Sequence, residues 1–307
     1  MKYSLSTIGL TLALSLGNII AAWSADFQKG VAAYKLGDYS TALHEWTPLA
    51  TQGNAHAQFN LGLMYRKGWG VPQDDKTAVK WYTLAAEQGD AGAQNNLGSM
   101  YEKGPGVQQD YKTALKWYTL AAKQGYALAQ ISLGRMYEKG QGVPQDNKTA
   151  VKWYTLAAEQ GNARAQTNLG WMYDEGKGVP ENDKTAAKWY ALAAKQGNAR
   201  AQLNLGWMYA NGRGVLQDYK TAVKWYKLAA EQGLANAQNN LGLLYAFGDG
   251  VQKNYVRAHM WGNIAMSIGG KNKGKVRDLV EKKMTPAQIA KAQKLALECV
   301  RKKYKDC

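Results

Sequence analysis

Few side chains in this 307-residue chain have the chemistry for catalysis or metal binding. None of the three histidines, His44, His56 and His259, is spaced as a metal pair with another. The two cysteines, Cys299 and Cys307, stand at the extreme C-terminus with no histidine beside them. That placement points to a small disulfide clip closing the last helix onto the tail, with a link between two chains as the alternative. Acidic neighbours such as Asp174 and Glu175 read as solvated charges at a helix end. Neither Ser-x-x-Lys nor Gly-x-Ser-x-Gly occurs. A Gly-x-Gly-Val stretch, met once before a helix, would suggest a phosphate cradle. Here it occurs six times, as GWGV, GPGV, GQGV, GKGV, GRGV and GDGV, and no copy continues into the Lys-Ser/Thr of a P-loop. These glycines shape a turn. The residues predict a protein without cofactor or metal that is not an enzyme.

The elements holding these residues follow from a strict period. Gly53, Gly89, Gly125, Gly161, Gly197 and Gly233 are spaced by one constant step, and Leu-Gly pairs, tyrosines and tryptophans keep the same step. "KTAVKWYTLAAEQG" stands at 76–89 and again at 148–161. Such a period means a solenoid or array. Each unit contains two helical patterns. Ala57, Leu61, Met64 and Tyr65 form an apolar stripe on the first helix, and Ala78, Trp81, Tyr82 and Ala85 form one on the second. Asp74 or Asp75 is placed to cap the second helix, and the glycine of "EQGNA" ends it. One helix pair cannot bury both stripes, so the pairs must stack.

The pattern "AQxNLGxMYxxGxGVxQDxKTAxKWYxLAAxQGNA" resembles the Sel-one-like repeat, a relative of the tetratricopeptide repeat with a longer internal turn. The resemblance covers about 26–300. It implies an all-α, right-handed superhelical solenoid of about seven stacked antiparallel helix pairs, with the first helices lining a concave groove. Members of the family generally act as adaptors and scaffolds for other proteins. Some exported members are described as penicillin binders with weak β-lactamase activity, but those carry a cysteine pair in every repeat. Cysteines at those positions are lacking here, so a β-lactam-binding or weakly hydrolytic role is the weakest expectation.

What varies between copies indicates where a partner would bind. The column at 56, 92, 128, 164, 200 and 236, the column three residues on, and the column at 63, 99, 135, 171, 207 and 243 all change freely. Spaced i, i+3 and i+7, they share one helical face. In the related tetratricopeptide repeats the corresponding positions line the concave surface. The expected binding residues are therefore His56, Phe59, Arg135, Arg164, Trp171, Arg200 and Trp207. Arginine and tryptophan are favoured anchors in binding surfaces. A second ladder, Asn60, Asn96, Asn168, Asn204 and Asn240, could grip a peptide backbone or bond repeat to repeat; the column hardly varies, which favours the structural role.

The ends depart from the repeat. Lys2 followed by an apolar stretch from Ile8 to Ala22, with Ala22-Trp23-Ser24 offering small residues for cleavage, reads as a signal peptide at 1–24. Residues 25–268 then form the solenoid, and 269–307 form basic capping helices and a tail. Thr285, Pro286 and Gln288 spell a capping box for the last helix. The expected location is periplasmic or secreted, with no stable membrane insertion once the signal is removed. Net charge is +16, and residues 269–307 carry twelve Lys/Arg against four Asp/Glu. The excess reads first as a solvated, solubilising surface; for an exported protein its sign also favours anionic envelope material, namely lipid headgroups, wall polymers or acidic proteins. The expected partner is an acidic protein or peptide, with an anionic envelope polymer or glycan as the alternative. No nucleic-acid motif is present, and nucleic acid is not an expected partner.

Overall fold

A computed structural model of the protein describes residues 27–269 and 274–307. The predicted signal peptide lies outside the described residues. Those residues form helices and turns without a β-strand, in two compact units divided after Gln145. No helix among them is long and apolar enough to cross a membrane.

The first unit begins with α1 (27–35) and α2 (Tyr39–Thr51). It continues with α3 (Ala55–Lys67), α4 (Asp75–Glu87), α5 (Ala91–Lys103), α6 (Tyr111–Lys123) and α7 (Ala127–Lys139). The second unit opens with α8 (Asn147–Glu159), α9 (Ala163–Asp174), α10 (Asp183–Lys195) and α11 (Ala199–Asn211). It closes with α12 (Tyr219–Ala230), α13 (Ala235–Phe247), α14 (Tyr255–Ser267), α15 (Lys275–Glu281) and α16 (Pro286–Arg301). From α2 to α7 in the first unit, and from α8 to α15 in the second, each helix packs on the next, as stacked helix pairs must do. The last helix, α16, packs on α14.

The expected caps are present. Asp74 accepts from the Lys76 and Thr77 amides and so starts α4, Asp110 does the same on α6, and Asp146 and Asp218 accept from the Thr149 and Thr221 amides to start α8 and α12. The Thr77 hydroxyl reinforces its cap by donating to Asp74 Oδ2 at 2.6 Å. The stripes bury as their spacing requires. Ala57, Leu61 and Met64 are buried on α3, and Ala78, Tyr82 and Ala85 on α4, whereas Trp81 remains half-buried.

Two glycine positions show why the period is so strict. A Cβ on Gly206, in the Leu-Gly pair of α11, would lie 2.8 Å from the Tyr226 ring, so the absence of a side chain lets that ring lie against the helix. Gly214, the second glycine of its Gly-x-Gly turn, has φ +66. A Cβ there would lie 2.7 Å from the Lys184 amide nitrogen and closer still to the Asp183 carbonyl, both in the preceding repeat. The turn is thus a contact between repeats, in agreement with the reading of these glycines as turn-forming.

Polar ladders run beneath the apolar contacts. Gln166 donates to the Ala158 carbonyl at 3.2 Å, and Gln196 donates to Gln166 Oε1 at 2.8 Å. Gln202 and Gln232 repeat this one step later, with Gln232 also reaching the Gly197 carbonyl. The ladder stops at Gln238, which is fully buried and whose Oε1 has no hydrogen-bond partner among the described residues. Ile268 stands where the next donor glutamine would be. The asparagine ladder is also placed for a structural role: Asn96, Asn204 and Asn240 stand beside the hydroxyls of buried Tyr82, Tyr190 and Tyr226 and act on their ionisation. Burial pushes Tyr82 up to about 12 and raises the other two as well, so these hydroxyls stay protonated.

At the C-terminus, Val276 and Val280 of α15 bury against Ala258 of α14. On α16, Thr285 and Gln288 form the full capping box, and Ala292, Ala296 and Cys299 turn inward. Cys299 and Cys307 are joined in a disulfide with Cα atoms 5.6 Å apart.

Candidate functional site

The first helices carry the variable columns, and their surroundings differ from repeat to repeat. On α3, His56 is exposed, with Nδ1 3.3 Å from Asp90 Oδ2. Phe59 is half-buried against the Tyr82 ring, at 6.0 Å between centroids. The same phenyl ring closes the space above Gly92, which holds the place of His56 in the next repeat. Phe59 therefore packs between repeats as much as it faces outward.

Arg135 departs further from the expectation of a free groove cation. Its guanidinium lies 2.7 Å from a Glu102 carboxylate oxygen, and that buried carboxylate also accepts from the Tyr118 hydroxyl at 2.9 Å. Removing a carboxylate from water requires a paired cation, and Arg135 supplies it. The middle column departs too. Ile131, Thr167 and Asn239 are buried, so at these repeats the column packs inside the stack. The face available to a partner is narrower than the three columns suggest.

In the second unit the expected residues are better exposed. Arg164 on α9 and Arg200 on α11 are exposed, and neither is ion-paired among the described residues. Trp171 on α9 is half-buried, and Trp207 on α11 is 38% exposed. Each tryptophan is covered on one side by a cation from the turn that follows it. Lys177 Nζ sits 4.1 Å from the Trp171 ring centroid, and the Arg213 guanidinium 5.5 Å from that of Trp207. Arg213 is itself held by Asp183 and Glu181, which raise its already high pKa. The Trp207 ring is thus positioned before any partner arrives, which lowers the ordering cost of binding.

Lys177 and Arg213 did not stand out in the sequence, although a signal was there. They occupy the x of Gly-x-Gly, six residues after the tryptophans, and that position is basic in only those two copies. Asp174 is a further difference: it is no solvated charge. It is half-buried, accepts weakly from Tyr190 at 3.4 Å, and burial holds its carboxyl above the usual carboxylate range.

Arg200 also forms one wall of a pocket of about 400 Å³ lined by Leu203, Leu234 and Ile268. One cation beside three aliphatic side chains suits an acidic group next to an apolar one. Among the described residues, no cluster of His, Cys, Asp and Glu is arranged to hold a metal ion.

Comparisons with known proteins agree with this architecture. The Sel1 repeat model matches six consecutive segments, 55–90, 91–126, 127–162, 163–198, 199–234 and 235–265. A crystal structure of a Sel1 repeat protein from Oxalobacter formigenes is similar at 36% identity, with TM-score 0.72, over 78% of this chain and 96% of that one. A second is c5321, a protective antigen present in uropathogenic Escherichia coli strains displaying an SLR fold. It is 27% identical with TM-score 0.62, over 94% of this chain and 95% of that one. No curated protein sequence matches this chain significantly. With six matched repeats spanning most of its length, the chain belongs to the Sel1 repeat family.

Proposed function

We propose that this chain is an exported scaffold that binds a peptide segment or partner protein on the first-helix face of its second unit. Sel1 repeat proteins are generally non-enzymatic scaffolds for protein–protein interaction. The observation that carries the reading is the pair of cation-covered tryptophans, Trp171 and Trp207, on consecutive first helices. A rigid aromatic surface offers large contact area at little entropic cost. The free guanidinium groups of Arg164 and Arg200 would attract carboxylates, and the aliphatic pocket beside Arg200 would take a neighbouring apolar side chain. An acidic-apolar segment fits this face best. Export is supported by the apolar stretch from Ile8 to Ala22 and by the Cys299–Cys307 disulfide, which persists in oxidising compartments.

Capture from envelope extract tests the reading. The full chain and a Trp171→Ala/Trp207→Ala variant, matched for helical content, are immobilised in parallel. A protein retained by the first and lost by the second supports the proposal. Retention unaffected by the substitutions would move the site elsewhere.

A further inference from the structure

The second helices present a different surface. In α8, α10 and α12 the inward arc is made of alanines and a buried tyrosine, such as Ala150, Tyr154, Ala157 and Ala158 on α8. At the middle of the opposite, outward arc stands a leucine: Leu156, Leu192 and Leu228, exposed by 45%, 46% and 43%. One turn before each leucine stands an exposed lysine, Lys152, Lys188 and Lys224. Another exposed lysine precedes each of these by a further turn. Acidic groups are nearly missing from these helices. Within the helices they are limited to Asp183, held by Arg213, and Glu159 at the last residue of α8; at the helix ends stand the capping Asp146 and Asp218, each held by a threonine, and Glu231, paired with Lys227. The other unit repeats the arrangement on its own helices, with exposed Leu84 and Leu120 following Lys80 and Lys116.

A single exposed leucine needs no explanation. Leucines kept exposed at the same position of successive second helices, each preceded by lysines, do need one. A solvated face would gain from a polar residue there. A soluble polyanion would satisfy the lysines and leave the leucines wet. The interface of a bilayer with anionic headgroups takes both, because lysine stems lie along apolar surface while their ammonium groups reach the phosphates.

We infer that the second-helix face of α8, α10 and α12 is a docking surface for an anionic lipid membrane, with Leu156, Leu192 and Leu228 entering the headgroup boundary and the lysines binding phosphate. The chain would then lie peripherally on a membrane by this face and leave the first-helix face free. The inference does not rest on the proposed partner site, since the two faces share no residue.

The test is local, so that the apolar N-terminal stretch of the full chain does not decide it. Lysine acylation of the full chain is read by mass spectrometry, residue by residue. It is done alone, with vesicles of equal parts phosphatidylglycerol and phosphatidylcholine, with vesicles of phosphatidylcholine only, and with heparin as a soluble polyanion. The expected result is protection of Lys152, Lys188 and Lys224 by the anionic vesicles and not by the neutral ones. Leu156→Gln/Leu192→Gln/Leu228→Gln should raise the vesicle concentration needed for protection by about tenfold or more. Replacing the three lysines with glutamine should weaken anionic-vesicle binding through this face by about a hundredfold, since each lysine near such a surface contributes roughly fivefold. That second variant is read by acylation of the remaining exposed lysines of the same helices, Lys148, Lys184 and Lys220, against the same chain in neutral vesicles. Absence of protection overturns the inference. So does protection that heparin reproduces and the leucine variant keeps, which would make the face a polyanion site.

Discussion

Two alanine substitutions separate the cost of a backbone conformation from the cost of breaking a contact between repeats. Gly197 has φ +87 and open space where a Cβ would stand. Gly197→Ala therefore carries only the left-handed penalty, about 1–2 kcal/mol. Gly214 has φ +66, and a Cβ would stand 2.7 Å from the Lys184 amide nitrogen while colliding with the Asp183 carbonyl. Those are backbone atoms of the preceding repeat, so no side-chain rotation relieves the clash. Overpacking of that kind adds about 1–3 kcal/mol. Gly214→Ala should lower stability by about 2–5 kcal/mol in all, and should exceed Gly197→Ala by about 1–3 kcal/mol. Urea denaturation followed by far-ultraviolet circular dichroism measures both. Equal losses, within about 0.5 kcal/mol, would refute the assignment of the Gly-x-Gly turn to stacking.

Three further outcomes follow from buried polar groups. Ile268→Gln should restore the interrupted glutamine ladder by donating to Gln238 Oε1, raising stability by about 1 kcal/mol in the same assay; an unchanged or lower midpoint would show that the register ends before 268. Burial raises the pKa of Asp174, so its favourable contribution is present below the unfolded value and is lost as pH rises through the folded one. Asp174→Asn should therefore melt higher than the parent at pH 7, the gap closing as pH falls toward about 4; a lower melting point at neutral pH would mean that attraction to Arg213 outweighs burial. His259 is buried on α14 and faces Glu281, Arg277 and Asp278 of α15, with Asn263 on its own helix. Burial lowers its pKa, so the unfolded chain binds the proton more readily, and stability is complete above about pH 6.5 and declines as pH falls from there. His259→Gln should flatten the fall in melting temperature between about pH 7 and pH 5, and parallel slopes would count against this role.

The helix pairs were legible because burial and period are the same fact in a stacked array. Ala57, Leu61 and Met64 fall at helical spacing in the sequence and are buried in the structure. The capping box at Thr285 and Gln288 was legible for a similar reason, since all its parts lie within one helical turn. Bonds across long separations were not. Nothing near Arg135 announces Glu102, 33 positions away, and the free cation expected there is instead half of an ion pair. The buried state of Ile131, Thr167 and Asn239 was hidden because variability looks alike at an exposed position and at one whose neighbours vary with it. The glutamine ladder could have been found. A polar residue recurring on an apolar stripe must find a partner, and its partners recur at the same step. Lys177 and Arg213 needed the path of the turn, which brings a residue six positions away back over a ring.

A protein partner on the first-helix face of the second unit is tested most directly by site-specific photo-cross-linking in the producing cell. A photoreactive amino acid replaces Trp207 in one variant and Lys188, on the second-helix face, in another. The expected result is one discrete protein adduct from position 207 and none of that mass from position 188. Adducts of the same mass from both positions, or none from 207 in cells where the chain is folded and abundant, would contradict a partner site on that face.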